Sequence, residues 1–395
     1  MDILIVTPIL YDVSSPFNHL FKDIIKGFLD GGHNVVRIAA VETDSDEGFK
    51  LGVAHENIKY IKVKRKRKNK ANIIARCISD SITNIRMAVK ILRHNNADVL
   101  FEDVSYSSFW SVAAARIKKL RVVAMLQDVW PDNAVQSGLI RENSLIYRYF
   151  EMRQQYVYKK ADKLICISDD MKSFIASKKI SENKINVIYN WGYTDEIARI
   201  PWEENDFVKK YDLSPGIFYA VYAGNIGRMQ NVELIVGAAE LLKTRTDIRF
   251  MIIGDGVRKE YIADMIKAKK LDNIIQLPMQ PQTMAVSIYS AAGANIIPLV
   301  PGGIKTAMPS KTGICLSCGR PIIFCFGGDC KFAHITAEYD AGICVNSGGA
   351  EELAGAVTRL AARENTEADG AYELFKAVFV KKNNVKKYVE AIGSE

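Results

Sequence analysis

The sequence predicts an α/β protein of two facing Rossmann-like domains, each a parallel sheet covered by helices. Three observations point there. Short β-branched apolar runs alternate with stretches of helical period along nearly the whole chain. That alternation breaks once, after Asn190, and restarts at Tyr219. The length, 395 residues, also exceeds what a single hydrophobic core usually holds.

In the first half, strands are expected at residues 3–7, 35–40, 58–64, 98–102, 122–126, 164–168 and 185–189. Helices fall at 17–29, 72–94, 107–119 and 145–160, and Gly31-Gly32-His33 supplies a helix stop before the second strand. Residues 191–216 mix Trp, Pro, Asn and charge without a period, and read as the linker. Beyond it, strands are expected at 219–223, 249–253, 274–277, 294–299, 321–326 and 342–345. Helices are expected at 231–245, 258–270 and 282–292, from Ser310, up to Tyr339, and after Gly349. The amphipathic stretch 372–392 reads as separate from the second domain. The expected division is 1–195, 196–371 and 372–395.

Hydrophobic residues make up 48% and charged residues 25%, ordinary values for a soluble globular protein. No run approaches the length of a transmembrane helix, and Met1-Asp2-Ile3 lacks the basic start of a secretory signal, so a cytoplasmic protein is expected. Seven cysteines among apolar residues suit reduced, buried thiols; Cys315 and Cys318 lie in an apolar helical run, which disfavours zinc. The net charge of +8 is uneven: residues 1–195 carry 30 Lys+Arg against 22 Asp+Glu, and the rest carry 23 of each. Much of the excess is Lys62, Lys64, Arg65, Lys66, Arg67, Lys68 and Lys70. No aromatic residue interrupts that run, so a base-stacking nucleic-acid surface is disfavoured. A solvated loop and an anionic membrane surface, where each Lys or Arg is worth about 1 kcal/mol, are the leading readings, and salt bridges or nucleic-acid binding share what is left.

Ligands of open parallel sheets bind beyond the carboxyl ends of the strands, so the informative residues are those that follow each strand. Gly224-Asn225-Ile226-Gly227-Arg228 follows an apolar strand and precedes a helix. Glycines there let backbone approach a phosphate, and Arg228 adds a charged fork; a plain βα turn is the alternative. Gly254-Asp255-Gly256 is a second such turn and by itself only a turn. Pro309-Ser310-Lys311, after Gly302-Gly303, opens a helix that Ser310 can cap. Lys311 in the first turn opposes the dipole preference for acids, which makes sense if an anion binds between them. Gln127-Asp128-Val129-Trp130-Pro131-Asp132 places polar groups at a buried strand end, where they are costly unless used. Asp128 can bind sugar hydroxyls or accept a proton, while Asp132 can simply cap the next turn.

Together these residues resemble the retaining glycosyltransferases of family four, which have the GT-B fold, and the likeness covers nearly the whole chain. It is greatest to the bacterial surface-polysaccharide branch. The matching motifs are Tyr222 to Gly227, Gln127 to Asp132, Tyr189 to Trp191, Pro309 to Lys311, and Cys318 to Pro321. The resemblance implies a nucleotide-diphosphate sugar, UDP-linked, as donor in the second domain. It implies a lipid-linked saccharide as acceptor on the first, and a hexosyl or N-acetylhexosaminyl group transferred without a metal or other cofactor. Arg228 and Lys311 would then contact the diphosphate, assisted by Gly224, Asn225, Gly227, Gly303, Pro309 and Ser310, with Met279 and Gln280 bordering the base. Ser14, Ser15, Gln127, Asp128 and Trp130 would face the acceptor or the sugar. Where the family carries two glutamates eight positions apart, this chain has Thr306 and Ile314, and Gln230 stands where a lysine often partners the arginine. Two other readings stay open: a non-catalytic nucleotide-sugar-binding subunit, and a nucleotide-sugar epimerase.

Overall fold

In this computed structural model, the described residues are 1–7, 17–41, 51–65, 73–192, 195–196, 198–363 and 369–393. They divide into two compact units. Unit 1 holds Met1–Val135, Ile140–Asn190 and Lys382–Glu395; unit 2 holds Gln136–Leu139 and Trp191–Lys381.

Unit 1 runs β1 (Asp2–Thr7), α1 (Phe17–Asp30), β2 (Asn34–Val41), β3 (Ile58–Lys64), α2 (Ile73–Arg93), β4 (Val99–Asp103) and α3 (Phe109–Ile117). It continues with β5 (Arg121–Leu126), α4 (Asp132–Gln136), α5 (Leu145–Lys160), β6 (Lys163–Cys166), α6 (Asp169–Ser177) and β7 (Ile185–Val187). All seven strands are parallel, in the order β3-β2-β1-β4-β5-β6-β7. Covered on both faces, the inner strands are continuously apolar rather than alternating: Ile3 to Val6 and Val122 to Leu126 are fully buried.

Unit 2 repeats the plan with α7 (Asp206–Lys210), β8 (Phe218–Asn225), α8 (Glu233–Leu241), β9 (Ile248–Asp255), α9 (Lys259–Lys269), β10 (Ile274–Leu277), α10 (Ala285–Ser290) and β11 (Ala294–Pro298). It is completed by α11 (Thr312–Ser317), β12 (Ile322–Cys325), α12 (Lys331–Glu338), β13 (Gly342–Val345), α13 (Ala350–Ala361) and α14 (Asp369–Leu374). Its six parallel strands run β10-β9-β8-β11-β12-β13. Val221, Ile235, Ile252, Ile296, Ile323 and Leu353 are among its fully buried residues.

Two sequence expectations change. The period-less segment 191–216 is not a free linker. Trp191 is 1% exposed, and Asn205 caps α7 by accepting from Phe207 N at 2.9 Å while donating to the Ser287 carbonyl at 2.8 Å. Side-chain capping and one anchoring Trp order a segment that has no apolar repeat, so the unit boundary falls at Trp191 rather than after 195. The stretch 372–395 is not one helix either. A single π turn over Phe375–Phe379 and an extended Val380 separate α14 from α15 (Lys381–Gly393). Phe375 and Phe379 are buried within unit 2, Phe379 against Phe332. Tyr388 is buried in unit 1 beside Phe101. The break lets one amphipathic stretch serve two cores. α15 lies so close on α1 that a Cβ on Gly27 would meet Val385 Cγ1 at 2.3 Å.

Candidate active site

Each sheet reverses its strand order once, between β1 and β4 in unit 1 and between β8 and β11 in unit 2. The crevice at such a reversal, beyond the carboxyl ends, is where open parallel sheets bind ligands. In unit 2 the segments after β8 and β11 contain Gly224 to Arg228 and Gly302 to Lys311.

β8 ends in Tyr222-Ala223-Gly224-Asn225, and Gly224 pairs with Gly254 on β9. A Cβ on Gly254 would lie 1.8 Å from the Gly224 carbonyl oxygen, and one on Gly256 would lie 2.4 Å from that of Ile226. The Gly254–Gly256 turn is therefore the floor of the Gly224–Gly227 turn. Ile226 N donates to the Asp255 carbonyl at 2.7 Å, and Arg258 N donates to the Ile226 carbonyl at 3.0 Å. The sequence signal was present in these two glycines, but a Gly-Asp-Gly turn is too common to read without its partner strand.

Lys311 is brought directly onto this turn. Its Nζ donates to the Ala223 carbonyl at 2.8 Å and lies 3.8 Å from the centroid of the Tyr222 ring. A Cβ on Gly224 would meet it at 2.7 Å. Desolvation lowers its pKa from 10.5 to about 8. Among the described residues no acid pairs with it; the cation is held by one carbonyl and an aromatic face, a weak set that an oxyanion would complete.

Arg228 is exposed at the end of the same turn, with no ion pair among the described residues. Asn225 is exposed and its amide donates to Gln230 at 3.3 Å, spanning the place where a Cβ on Gly227 would clash at 2.5 Å. Gly303 is buried in a 3-10 turn over Gly303–Lys305. Ser310 is not the helix cap expected of it: α11 starts at Thr312, with Lys311 at the cap position and no side-chain cap. The Thr312 hydroxyl instead bonds its own turn, donating to the Pro309 carbonyl at 2.8 Å, which leaves Ser310 exposed. Met279 is 52% exposed beyond β10, and Gln280 beside it accepts from Lys210 Nζ at 3.0 Å. Thr306 and Ile314, at the two glutamate places, are both buried; the Thr306 hydroxyl bonds Gln136 and the Gly303 carbonyl.

In unit 1, Gln127 and Asn190 form a reciprocal amide pair, Asn190 Nδ2 donating to Gln127 Oε1 at 2.7 Å. Gln127 is 7% exposed and engaged in the fold. Asp128 follows it as an exposed residue. Desolvation raises its carboxyl to about 6 against a hydrogen bond with Asn133, and water at its open side works against that rise. Trp130 packs 5.5 Å from Tyr106 and 5.6 Å from Phe150, with its buried indole N–H unpartnered. Asp132 is structural: it accepts from Tyr147 at 3.0 Å and pairs with Lys178 at 2.8 Å. Ser14 and Ser15 lie outside the described residues.

One residue went unnoticed in the sequence. Glu102, at the carboxyl end of β4, is fully buried, and burial lifts its pKa to about 8, opposed by the Ser108 and Ser111 hydroxyls. A lone Glu ending an apolar run carries no signal that it faces inward.

Two parallel-sheet α/β units with a cation docked under a glycine turn at the reversal of one sheet are the GT-B architecture of glycosyltransferases. Residues 19–195 match the profile described as Glycosyltransferase Family 4, and residues 218–363 match Glycosyl transferases group 1. The chain belongs to the family-four glycosyltransferases. The probable glycosyltransferase WbjE of Pseudomonas aeruginosa is 25% identical over 225 residues, 56% of this chain and 54% of that protein, so the match spans about half of the relative. The putative colanic acid biosynthesis glycosyl transferase WcaI of Escherichia coli K12 is 20% identical over 284 residues, covering 70% and 69%. Anabaena HepE, solved with UDP and glucose, superposes with a TM-score of 0.71 at 13% identity, over 100% of this chain and 99% of that one.

Proposed function

We propose that this chain is a retaining, metal-independent glycosyltransferase that moves a hexosyl or N-acetylhexosaminyl group from a UDP-linked donor to a lipid-linked saccharide during capsule or O-antigen assembly. One observation carries the reading: the Lys311 ammonium lies beneath the Gly224 turn with an unfinished set of partners. A leaving diphosphate needs cations fixed before the bond breaks, and Lys311 with Arg228 supplies them. The Gly224–Gly227 backbone, Asn225, Gly303, Pro309 and Ser310 frame that anion, and Met279 and Gln280 border the base. HepE, solved with UDP, shares the fold and supports the choice of nucleotide. Because Thr306 and Ile314 point into the core, the ribose hydroxyls are recognised by other groups. Asp128 and Trp130 stand on the acceptor side.

The acceptor's lipid anchor makes a membrane surface the place of work. No helix among the described residues is long and apolar enough to cross a membrane. Lys62 and Lys64 are exposed on β3 at the sheet edge; Lys66, Arg67, Lys68 and Lys70 lie outside the described residues. Arg65 leaves the basic set, because it is 12% exposed and paired with Asp80 at 2.6 Å. In its place α2 presents Ile78, Ile82, Ile85, Val89 and Leu92, each 39 to 55% exposed, beside exposed Arg86, Lys90 and Arg93. An apolar stripe flanked by cations is the pattern of a helix lying in a membrane interface.

The test is a thermal-shift screen of UDP-, GDP- and dTDP-sugars, followed by transfer to membrane extract with the best donor. A shift with UDP-sugars and labelled lipid product are expected. A shift without transfer to any acceptor returns the chain to a non-catalytic binding subunit; free epimer returns it to an epimerase.

A further inference from the structure

Helix α3 is apolar on both faces. Ser111, Val112, Ala114 and Ala115 are buried in unit 1, yet the opposite face is Trp110, Ala113 and Ile117, with Ile117 72% exposed. A helix apolar all round belongs in an interior, covered on both sides. α3 packs against both neighbouring helices: Ser111 N donates to Asn84 of α2 at 3.2 Å, and the Phe109 ring centroid lies 4.7 Å from that of Tyr156 on α5. The uncovered face therefore continues sideways. On α2 it meets the stripe from Ile78 to Leu92. On α5 it meets a second stripe at helical spacing, Leu145, Tyr149 and Met152, which are 83%, 49% and 64% exposed.

Charge on this layer has one sign. Arg86, Lys90, Arg93, Arg148, Lys159 and Lys160 are exposed on α2 and α5. The acids of the three helices, Asp80 and Glu151, are engaged within the fold, Asp80 with Arg65 at 2.6 Å and Glu151 with Lys178 at 3.1 Å. A second copy of the chain would set cations against cations, which opposes self-association through this face. A single partner helix is also too narrow. Interaxial spacings of about 8–10 Å put the α2 and α5 stripes about 16–20 Å apart, against about 10–12 Å for the width of one helix. An anionic bilayer takes up apolar side chains across any width and attracts the cations around them. The aromatic anchors are fixed in advance: Arg153 Cζ lies 5.6 Å from the Trp110 ring centroid and 5.4 Å from that of Tyr149, which limits the rotamer freedom they lose on insertion.

We propose that α2, α3 and α5 form one membrane-inserting face, in which Trp110, Ile117, Leu145 and Met152 enter the acyl boundary of an anionic bilayer while the surrounding cations hold its headgroups. The α3–α5 half rests on the reading of α2 as an interfacial helix and gives the chain a second footing, which that reading does not require.

The experiment mixes the full chain with vesicles of phosphatidylcholine, with or without phosphatidylglycerol. It reads flotation, and quenching of tryptophan by lipids brominated on the acyl chain. Wild type is expected to float with phosphatidylglycerol vesicles and to be quenched. Trp130, Trp191 and Trp202 are buried or half-buried, so Trp110→Phe, which keeps an apolar ring, should float equally and lose most of the quenching. Leu145→Ser with Met152→Ser should weaken flotation at least about tenfold while melting as wild type, since both residues are exposed. Ile82→Ser with Ile85→Ser tests α2 separately. Flotation lost only in the α2 pair, with quenching kept in Trp110→Phe, overturns the α3–α5 footing and leaves the α2 reading standing. Wild type that does not float, or variants that all float and quench alike, overturn both. Equal flotation without phosphatidylglycerol overturns the role of the cations.

Discussion

Replacing Lys311 with methionine separates the two demands on that side chain. The residue is half-buried, and desolvation lowers its ammonium pKa from 10.5 to about 8. Because the folded value lies below the unfolded one, the free protein carries a penalty that is full below about pH 8 and fades towards 10.5. A shift of that size corresponds to at most about 3.5 kcal/mol, at about 1.4 kcal/mol per unit. Lys311→Met removes the penalty together with the hydrogen bond to Ala223, so the free protein should melt no lower than wild type at pH 7. Catalysis should move the other way. Removing one preorganised group from a developing anion typically costs about 10²–10³ in turnover. The pH profile carries the same information. In free wild type, kcat/KM for the donor should fall as pH rises through about 8, where Lys311 loses its proton. A bound diphosphate favours the protonated form, so the limb in kcat should lie at higher pH. The assays are initial rates of labelled-sugar transfer from pH 6 to 10, and melting curves with and without UDP. Wild-type turnover and an unchanged UDP-induced shift in Lys311→Met would refute the assignment.

Four further outcomes are expected. Arg228 is exposed without an ion pair, so Arg228→Ala should keep the wild-type melting temperature while turnover drops by about 10² or more, kcat falling more than KM rises. Transfer should survive EDTA; a requirement for added Mg²⁺ or Mn²⁺ would contradict the proposed cation roles. Gly254→Ala pushes a Cβ to within 1.8 Å of the Gly224 carbonyl, and should abolish the UDP-induced shift with about 1–3 kcal/mol of destabilisation, read by urea unfolding. Burial raises the Glu102 pKa from 4.5 to about 8, so its penalty grows as pH rises between those values; the stability gain of Glu102→Gln should be small at pH 5 and largest near pH 8, by thermal melts.

The strands were the most legible part of the fold, for a reason specific to parallel sheets. Helices cover both faces, so Ile3 to Val6 and Phe250 to Ile253 read as unbroken apolar blocks with clear ends. The Gly224–Gly227 turn was legible because a βα turn that must approach another backbone needs glycine, and Gly224 and Gly254 are tied in register. What the pattern did not carry was the destination of individual side chains. Lys311 reads as a first-turn cation, while its Nζ in fact reaches the Ala223 carbonyl near the end of β8. Gln127 and Asn190, far apart in sequence, are each other's partners. The break at Val380 was invisible because both sides of it keep helical period.

Helix α2 shows how period can be read without phase. Its spacing announces two faces, and the ordinary assumption turns the apolar one inward. Here the inward face is polar: Ser79, Asp80, Thr83 and Asn84 are buried beside Met87 and Ile91. Each polar group has a local reason to be inside. Asp80 takes Arg65 at 2.6 Å and the Tyr106 hydroxyl, Thr83 bonds the Ser79 carbonyl at 2.8 Å, and Asn84 accepts from Ser111 N at 3.2 Å. Partners from β3's end and from α3 and the loop before it thus fix the rotation of α2, and they lie too far along the chain for a local pattern to weigh. Once that rotation is fixed, Ile78, Ile82, Ile85, Val89 and Leu92 have nowhere to go but outward. Arg65, which composition alone adds to the basic run, is one of the partners that fix this rotation. The charge that seemed to belong to a surface is part of what exposes the apolar stripe.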